Sequence, residues 1–317
     1  MSHSVFTTAI FLLGWAGLAS GIFAQNPNYA IIPFKLAGKF IYVEASADGR
    51  TGNFIIDTGC AGIVLNSQYF EGIEENRLIY DINGPAKAVG GRYAGLSLGT
   101  LDFPVSYAVV ANLDNIEEQM PGTPFMGLIG GGLFMDYELA FDFANGELTL
   151  CRLDKNGRKR GLALPHSAPT DTFSIVLKGH LPCIEVQVGT AAFRFAIDSG
   201  AEVNVLDHKS LKKAAAYLKA QREVHLTGLG RQPEPVMLGM LTGMELGGTA
   251  YLPMQTIVKD IEHFNHHLPG PQLDGILGFH FLRQYKTAIN LKKKELYIWN
   301  EDKRESEPSE KELMVKY

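Results

Sequence analysis

Cysteine is scarce in this chain: Cys60, Cys151 and Cys183 are the only ones in 317 residues. Three thiols cannot all pair within one chain, so no disulfide framework organises the fold. A Cys151–Cys183 bridge stays open as a possibility for an oxidising compartment. Concentrated positive charge is also missing. The formal net charge is −5 and the pI about 6.0. The one basic run, Lys155-Asn156-Gly157-Arg158-Lys159-Arg160, is short and lies between apolar segments, where it reads as a solvated linker. Nucleic acid is therefore not an expected partner. After the first 24 residues no stretch is long and apolar enough to span a bilayer.

Those 24 residues differ from the rest. Phe11 to Ala24 is nearly all apolar, and Ala24, or Gly21 with Ala19 before it, suits a signal-peptidase site. Met1 to Ala9 carries no Lys or Arg, which departs from the usual leader pattern. A cleaved export signal is the expectation, giving a periplasmic or secreted protein. An uncleaved membrane anchor is the alternative, and a membrane is a partner only in that case.

What is present is an ordinary globular composition, 46% apolar and 20% charged, enough for one large core or two smaller ones. It is organised by an internal repeat. Phe54-Ile-Ile-Asp-Thr-Gly-Cys-Ala-Gly-Ile-Val-Leu-Asn66 aligns with Phe195-Ala-Ile-Asp-Ser-Gly-Ala-Glu-Val-Asn-Val-Leu-Asp207, placing Asp57 and Asp198 141 residues apart. Further on, Gly127-Leu-Ile-Gly130 aligns with Gly275-Ile-Leu-Gly278 at an offset of 148, and Tyr137, Ala140 and Glu147-Leu148 meet Tyr285, Ala288 and Glu295-Leu296 in the same register. Two related lobes follow, 27–151 and 169–300. A linker covers 152–168, and a charged tail, 301–317, has the composition of a disordered segment.

Runs rich in β-branched and aromatic residues dominate each lobe, so the fold class is mainly β, with one short helix or more per lobe. Lys209 to Glu223, with Leu211, Ala214, Ala215 and Leu218 on one face, predicts the clearest helix, and Ser67 to Asn76 a weaker counterpart.

The chemistry lies in the repeated loops. An apolar strand carries Asp57 into an interior where ionisation is costly. Thr58 braces the turn, and Gly59 lets the backbone approach the carboxylate closely. Asp198-Ser199-Gly200 supplies the same parts. A two-fold relation between the loops brings two carboxylates together, and carboxyls about 3 Å apart share one proton rather than both ionising. One then serves as general base toward water while the other donates to a carbonyl.

With Asp57-Thr58-Gly59, Asp198-Ser199-Gly200 and the downstream blocks ending in Gly130 and Gly278, the chain resembles the pepsin/retropepsin-like aspartic proteases over nearly all of 27–300. The resemblance implies two pseudo-two-fold-related β-barrel-like lobes in one chain, of retropepsin-like size, with Gly130 and Gly278 supporting the catalytic loops from below. It implies a polypeptide substrate and no cofactor or metal. It also implies β-hairpin flaps over the cleft: Ala88 to Ala94, with Gly90 and Gly91 at the tip and Tyr93 as a substrate contact, and Leu226 to Gln232, with Gly228 and Gly230. Cys60 stands where this family usually has Ala, Ser or Thr; with no base nearby it reads as a packed thiol. Glu202 reads as a solvent-exposed charge near the site.

Other patterns point nowhere catalytic. His263, His266 and His267 lack a completing ligand set and read as a wet loop. Gly130-Gly131-Gly132 is followed by Leu-Phe rather than Lys-Ser/Thr, so it is no phosphate loop, and no Gly-x-Ser-x-Gly elbow occurs. The expected function is an aspartic endopeptidase. A catalytically silent peptide-binding or inhibitory module is the alternative.

Overall fold

The computed structural model describes residues 28–82, 84–118, 124–161, 168–226 and 234–300. The expected signal segment and charged tail lie outside these residues. Among the described residues no helix is long and apolar enough to cross a membrane. The protein is mainly β, with a few helices of one or two turns.

Each lobe is built on the same knot of strands. In the first, Arg50–Asp57 runs parallel to Phe125–Gly130, with Asp57 opposite Gly130. The short strand Ile63–Asn66 then inserts antiparallel to Phe125–Gly130 and parallel to Leu101–Ala111. In the second, Ala191–Ile197 runs parallel to Gly275–Leu277, and Asn204–Asp207 inserts antiparallel to it and parallel to Met254–Lys259. These central strands read as continuous apolar runs because both faces are covered; every residue of Phe125–Gly130 is buried.

A six-stranded layer joins the lobes. Its middle is the antiparallel pair Tyr137–Asp142 and Lys286–Asn290, in which Ala140 lies opposite Ala288. These two residues are repeat mates, so an approximate two-fold axis passes between them. Leu139 faces Ile289 and Phe141 faces Thr287, the exchanged pairing such an axis requires. One apolar cluster, including Phe54, Ile56, Phe141, Phe195 and Leu296, runs through the layer and both lobes.

Three expectations change on folding, and one open question closes. The predicted helix Lys209 to Glu223 is a 3-10 turn, His208–Ser210, one α-turn, Leu211–Ala214, and then the strand Leu218–Leu226 paired with Glu234–Leu241. Leu218 and Ala214 are still buried, but the chain is drawn into the sheet, and Thr242 donates both its amide and its hydroxyl to the Tyr217 carbonyl, each at 2.9 Å. Local periodicity loses here to ladder pairing. The weaker helix at Ser67 to Asn76 is absent: Tyr69 and Phe70 amides close a turn on the Asn66 carbonyl, and Ile73 then bridges to Gly91. The three histidines lie in a short helix, Glu262–His267, rather than in a loop. Cys151 and Cys183 are both buried and free, so they form no bridge. The start of the linker is ordered too: Lys159 ion-pairs with buried Glu138 at 2.6 Å.

Candidate active site

The two Asp loops meet at the seam between the lobes. Thr58 and Ser199 interlock them. The Thr58 amide donates to Ser199 Oγ at 3.0 Å, and the Ser199 amide donates to Thr58 Oγ1 at 2.9 Å. Each hydroxyl then donates across to a strand of the other lobe, Thr58 to the Ile197 carbonyl at 3.1 Å and Ser199 to the Ile56 carbonyl at 2.7 Å. Both residues are buried, so these four bonds satisfy groups that water cannot reach.

That lock holds the carboxyls face to face. Asp57 and Asp198 hydrogen-bond to each other through their side chains. The Gly59 amide donates to Asp57 Oδ1 at 2.9 Å and to Asp198 Oδ1 at 3.0 Å. Cys60 N adds a bond to Asp57 Oδ1 at 3.1 Å, and Gly200 N one to Asp198 Oδ1 at 2.8 Å. The glycines are required by proximity. A Cβ on Gly59 would stand 2.5 Å from Asp198 Cγ, and one on Gly200 2.5 Å from Asp57 Cγ. Gly130 and Gly278 lie under the loops: a Cβ there would press on the Cys60 carbonyl oxygen at 2.6 Å and on Ala201 Cβ at 2.8 Å.

Electrostatics separates the two acids. Burial, the Asp198 charge and the hydrogen bond with Asp198 hold the Asp57 carboxyl well above the ordinary 3.8, against the Gly59 and Cys60 amides. Burial also raises Asp198, but the Gly200 amide, the bond from Asp57, the Gly59 amide and nearby His180 all favour its ionised form. Both carboxyls are thus raised, and the charge of Asp198 adds to burial in raising Asp57.

The cleft above the pair has a volume of about 1280 Å³, larger than a drug-sized pocket and open to both lobes. Its walls near the acids are apolar, with Ile55, Ile63 and Leu128 on one side and Val205, Leu238 and Ile276 on the other. Cys60 lines it, with its Sγ turned to the Gly62 carbonyl at 3.2 Å; burial first, then the Asp57 charge, pushes its thiol to about 12, so it is a packed thiol rather than a thiolate.

The hairpins differ from expectation. Gly90 and Gly91 form no tip: both are buried in the strand Gly90–Leu98, opposite Val110 and Val109. The segment Gly72-Ile73 crosses over them, and a Cβ on Gly90 would stand 2.7 Å from the Ile73 carbonyl oxygen, which explains the glycine. The first-lobe hairpin at the cleft is instead Leu78–Asp81 with Gly84–Lys87. Tyr93 is 71% exposed and does not line the cleft; its cross-strand neighbour Tyr107 does. Gly228 and Gly230 lie outside the described residues, although Val224, Leu226 and Leu238 on the flanking strands face the cleft.

Two side chains at the site, His180 and Lys39, escaped the sequence reading, and a third, Glu202, was read in the wrong environment. His180 Nε2 lies 2.7 Å from the Gly59 carbonyl oxygen. Glu202, expected in solvent, is half-buried in the cleft and accepts the Lys39 amide at 3.1 Å, while Lys39 Nζ donates to Gln255 Oε1 at 2.8 Å. A signal for them existed: Gly38-Lys39 precedes Gly179-His180 by 141 residues, the spacing of the Asp loops, and both glycines have φ near +60°. Each lobe's first hairpin therefore reaches the other lobe's loop. As for metals, Asp207, His208 and Asp260 are the group of described residues whose ligand atoms lie within 4.8 Å of one another, and two of the three are exposed, away from the cleft.

Comparisons with known proteins agree with this architecture. Residues 184–281 match the family model described as aspartyl protease. No curated protein matches the sequence significantly. Among solved structures, the aspartic proteinase from Irpex lacteus superposes with a TM-score of 0.51 at 14% identity, covering 86% of this chain and 97% of that one. Residues 184–281 are thus similar by sequence to the aspartyl proteases, and the chain has the aspartic protease fold over 86% of its length.

Proposed function

We propose that the chain is an aspartic endopeptidase in which Asp57 and Asp198 activate water against a peptide carbonyl. The observation that carries this reading is the pair itself: two buried carboxyls that share the Gly59 amide and line the cleft, both raised and Asp57 the more so. Ionised Asp198 takes a proton from water as its oxygen attacks the carbonyl carbon, and protonated Asp57 gives its proton to the carbonyl oxygen. The tetrahedral diol collapses when Asp198 returns its proton to the leaving nitrogen and Asp57 recovers one from the diol hydroxyl. The C–N bond breaks and the pair is restored. This cycle uses no metal, organic cofactor or covalent enzyme intermediate.

We also propose, from the apolar composition of Phe11 to Ala24, that the enzyme is exported with residues 1–24 as its signal; N-terminal sequencing of the mature protein tests that. For the chemistry, a broad peptide library is incubated with the wild type, Asp57→Asn and Asp198→Asn. Cleavage by the wild type alone, blocked by a statine-type transition-state mimic, is the expected result. Turnover no greater than that of either variant overturns the assignment.

A further inference from the structure

One end of the layer that joins the lobes carries charge that the acid pair does not use. The chain as a whole is acidic, at −5. At this end two distant segments pack together. The end of the strand Glu147–Arg152 and the loop after it carry Arg152, Lys155, Arg158, Lys159 and Arg160, all exposed. The turn between Lys286–Asn290 and Glu295–Trp299 carries Lys292, Lys293 and Lys294. The Asn290 side chain donates to the Gly157 carbonyl at 2.9 Å, and Lys292 Nζ to the Asp154 carbonyl at 3.2 Å, which fastens loop to turn. None of these cations lines the cleft.

Part of the charge is neutralised locally. Lys159 pairs with Glu138 at 2.6 Å, Lys292 with Asp136 at 2.6 Å and Lys293 with Glu295 at 3.8 Å. The Asp154 charge is shared by Arg158 and Arg160. Eight cations against four carboxylates leave a surplus of four. Among the described residues no ion pair engages Arg152, Lys155 or Lys294.

The repeat shows that the fold does not require this surplus. Lys292-Lys293-Lys294 stands where the first lobe has Ala144-Asn145-Gly146, at the same offset of 148. Lys294 holds φ at +57° and its mate Gly146 at +64°. Glycine takes this left-handed turn without strain and lysine does not. The second lobe thus keeps a cation where backbone conformation alone favours glycine. The apolar segment Phe11 to Ala24 also leads into this end. The Asn28 carbonyl accepts the Arg152 amide at 2.7 Å, and its side chain lies against Gly161. Asn28 is four residues beyond Ala24, a span of at most about 14 Å. A membrane-inserted signal therefore holds this end against the bilayer.

We propose that the 152–160 loop and the 292–294 turn form a docking surface for an anionic lipid bilayer, whose headgroup phosphates take the surplus charges. The surface is separate from the acid pair, so its test does not depend on proteolysis. Vesicles of phosphatidylcholine, with and without about 30% phosphatidylglycerol, are mixed with the purified chain and sedimented. The apolar segment supplies the same hold on both, so the difference reads the charge. Phosphatidylglycerol is expected to tighten binding about tenfold or more at about 0.1 M salt, and the gain to vanish near about 0.5 M.

The triple reversal Lys155→Glu, Arg160→Glu, Lys294→Glu removes the gain. Lys35→Glu, Lys212→Glu, Lys219→Glu, three exposed cations elsewhere, keeps it. Circular dichroism checks that both variants are folded. Lys294→Gly reduces the gain about threefold without lowering the melting temperature, since it removes a charge and relieves the turn. Equal binding to both vesicles, no binding to either, a gain indifferent to salt, or equal loss in the two triple variants overturns the proposal. So does a tighter hold on a mixed-sequence RNA than on the anionic vesicles, which assigns the surface to nucleic acid instead.

Discussion

The two lobes contribute nearly the same loop to one site, yet the surroundings of those loops differ. After Asp57-Thr58-Gly59 come Cys60, Ala61 and Gly62; after Asp198-Ser199-Gly200 come Ala201, Glu202 and Val203. The second lobe adds a polar brace that the first lacks. Buried Asn204 accepts the Gly278 amide at 2.8 Å, whereas its repeat mate is the apolar Ile63. The hairpins that cross the seam are also unequal: His180 reaches the Gly59 carbonyl, while Lys39 reaches Glu202. A symmetric scaffold thus holds an asymmetric pair. Interlocking bonds between the loops fix the geometry, and unequal neighbours act on the two acids.

The strongest way to break that comparison is to neutralise each acid in turn. Asp57→Asn and Asp198→Asn should each lower kcat by about 10²–10⁴-fold, because general acid and general base are both lost when either partner goes. The wild-type rate should fall as pH rises through the raised Asp57 value and again as acid protonates Asp198, giving a bell measured as kcat/KM against pH. Stability also depends on the Asp57 proton. Asp57 binds its proton more tightly folded than unfolded, so its contribution is fully present below about 3.8 and is lost as pH rises through the folded value. Asp57→Asn should therefore melt higher than wild type at pH 7, with the gain vanishing near pH 4. A lower melting point at pH 7 would show that folding does not raise the Asp57 carboxyl as described.

Next in size are the glycines beneath the loops. Gly130→Ala and Gly278→Ala should each destabilise by about 1–3 kcal/mol, since the new methyl meets backbone that cannot move without displacing an Asp loop. Urea unfolding measures this, and a cost below a few tenths for both would disprove the tight approach.

The interlock sharpens the comparison at a smaller scale. Ser199→Ala leaves the buried Thr58 amide unpaired, and Thr58→Val does the same to the Ser199 amide. Each should cost about 1–3 kcal/mol, and the double variant less than the two together, because both remove one network. Strict additivity in that cycle would mean that the loops are braced independently. Lobe-specific bracing predicts that Asn204→Leu, which orphans the Gly278 amide, costs more than Ile63→Val, at about 0.5–1.5 kcal/mol.

The smallest effect is expected at Cys60. Cys60→Ala should keep activity within about threefold, as its amide rather than its thiol serves Asp57. Iodoacetamide should label it slowly at pH 7.5, as a thiol held near 12 supplies little thiolate. Rapid labelling with loss of activity would place a reactive thiol in the site.

Much of this site was legible because it is encoded locally and twice. Asp-Thr/Ser-Gly after an apolar strand dictates a buried carboxyl on a tight turn, and an apolar pair followed by Gly dictates a strand able to pass beneath it. Finding both at matched spacings left one way to assemble them. The hairpins were less legible. Gly90-Gly91 has turn composition, but its glycines serve a crossing segment, a close approach between residues that no short window contains. Lys209 to Glu223 has a genuine helical apolar stripe, and the sheet overrode it because Leu218–Leu226 gains a partner strand about ten residues further on.

The sequence by itself determined the two lobes, the mainly β class and the two Asp loops, since each rests on repetition and short-range pattern. Tertiary structure alone decided which first-lobe hairpin lines the cleft, that His180 and Lys39 cross the seam to the opposite loop, and that both Asp carboxyls are raised. Those outcomes depend on burial and on charges brought together from distant parts of the chain, and a carboxyl's affinity for a proton is set by what surrounds it in space.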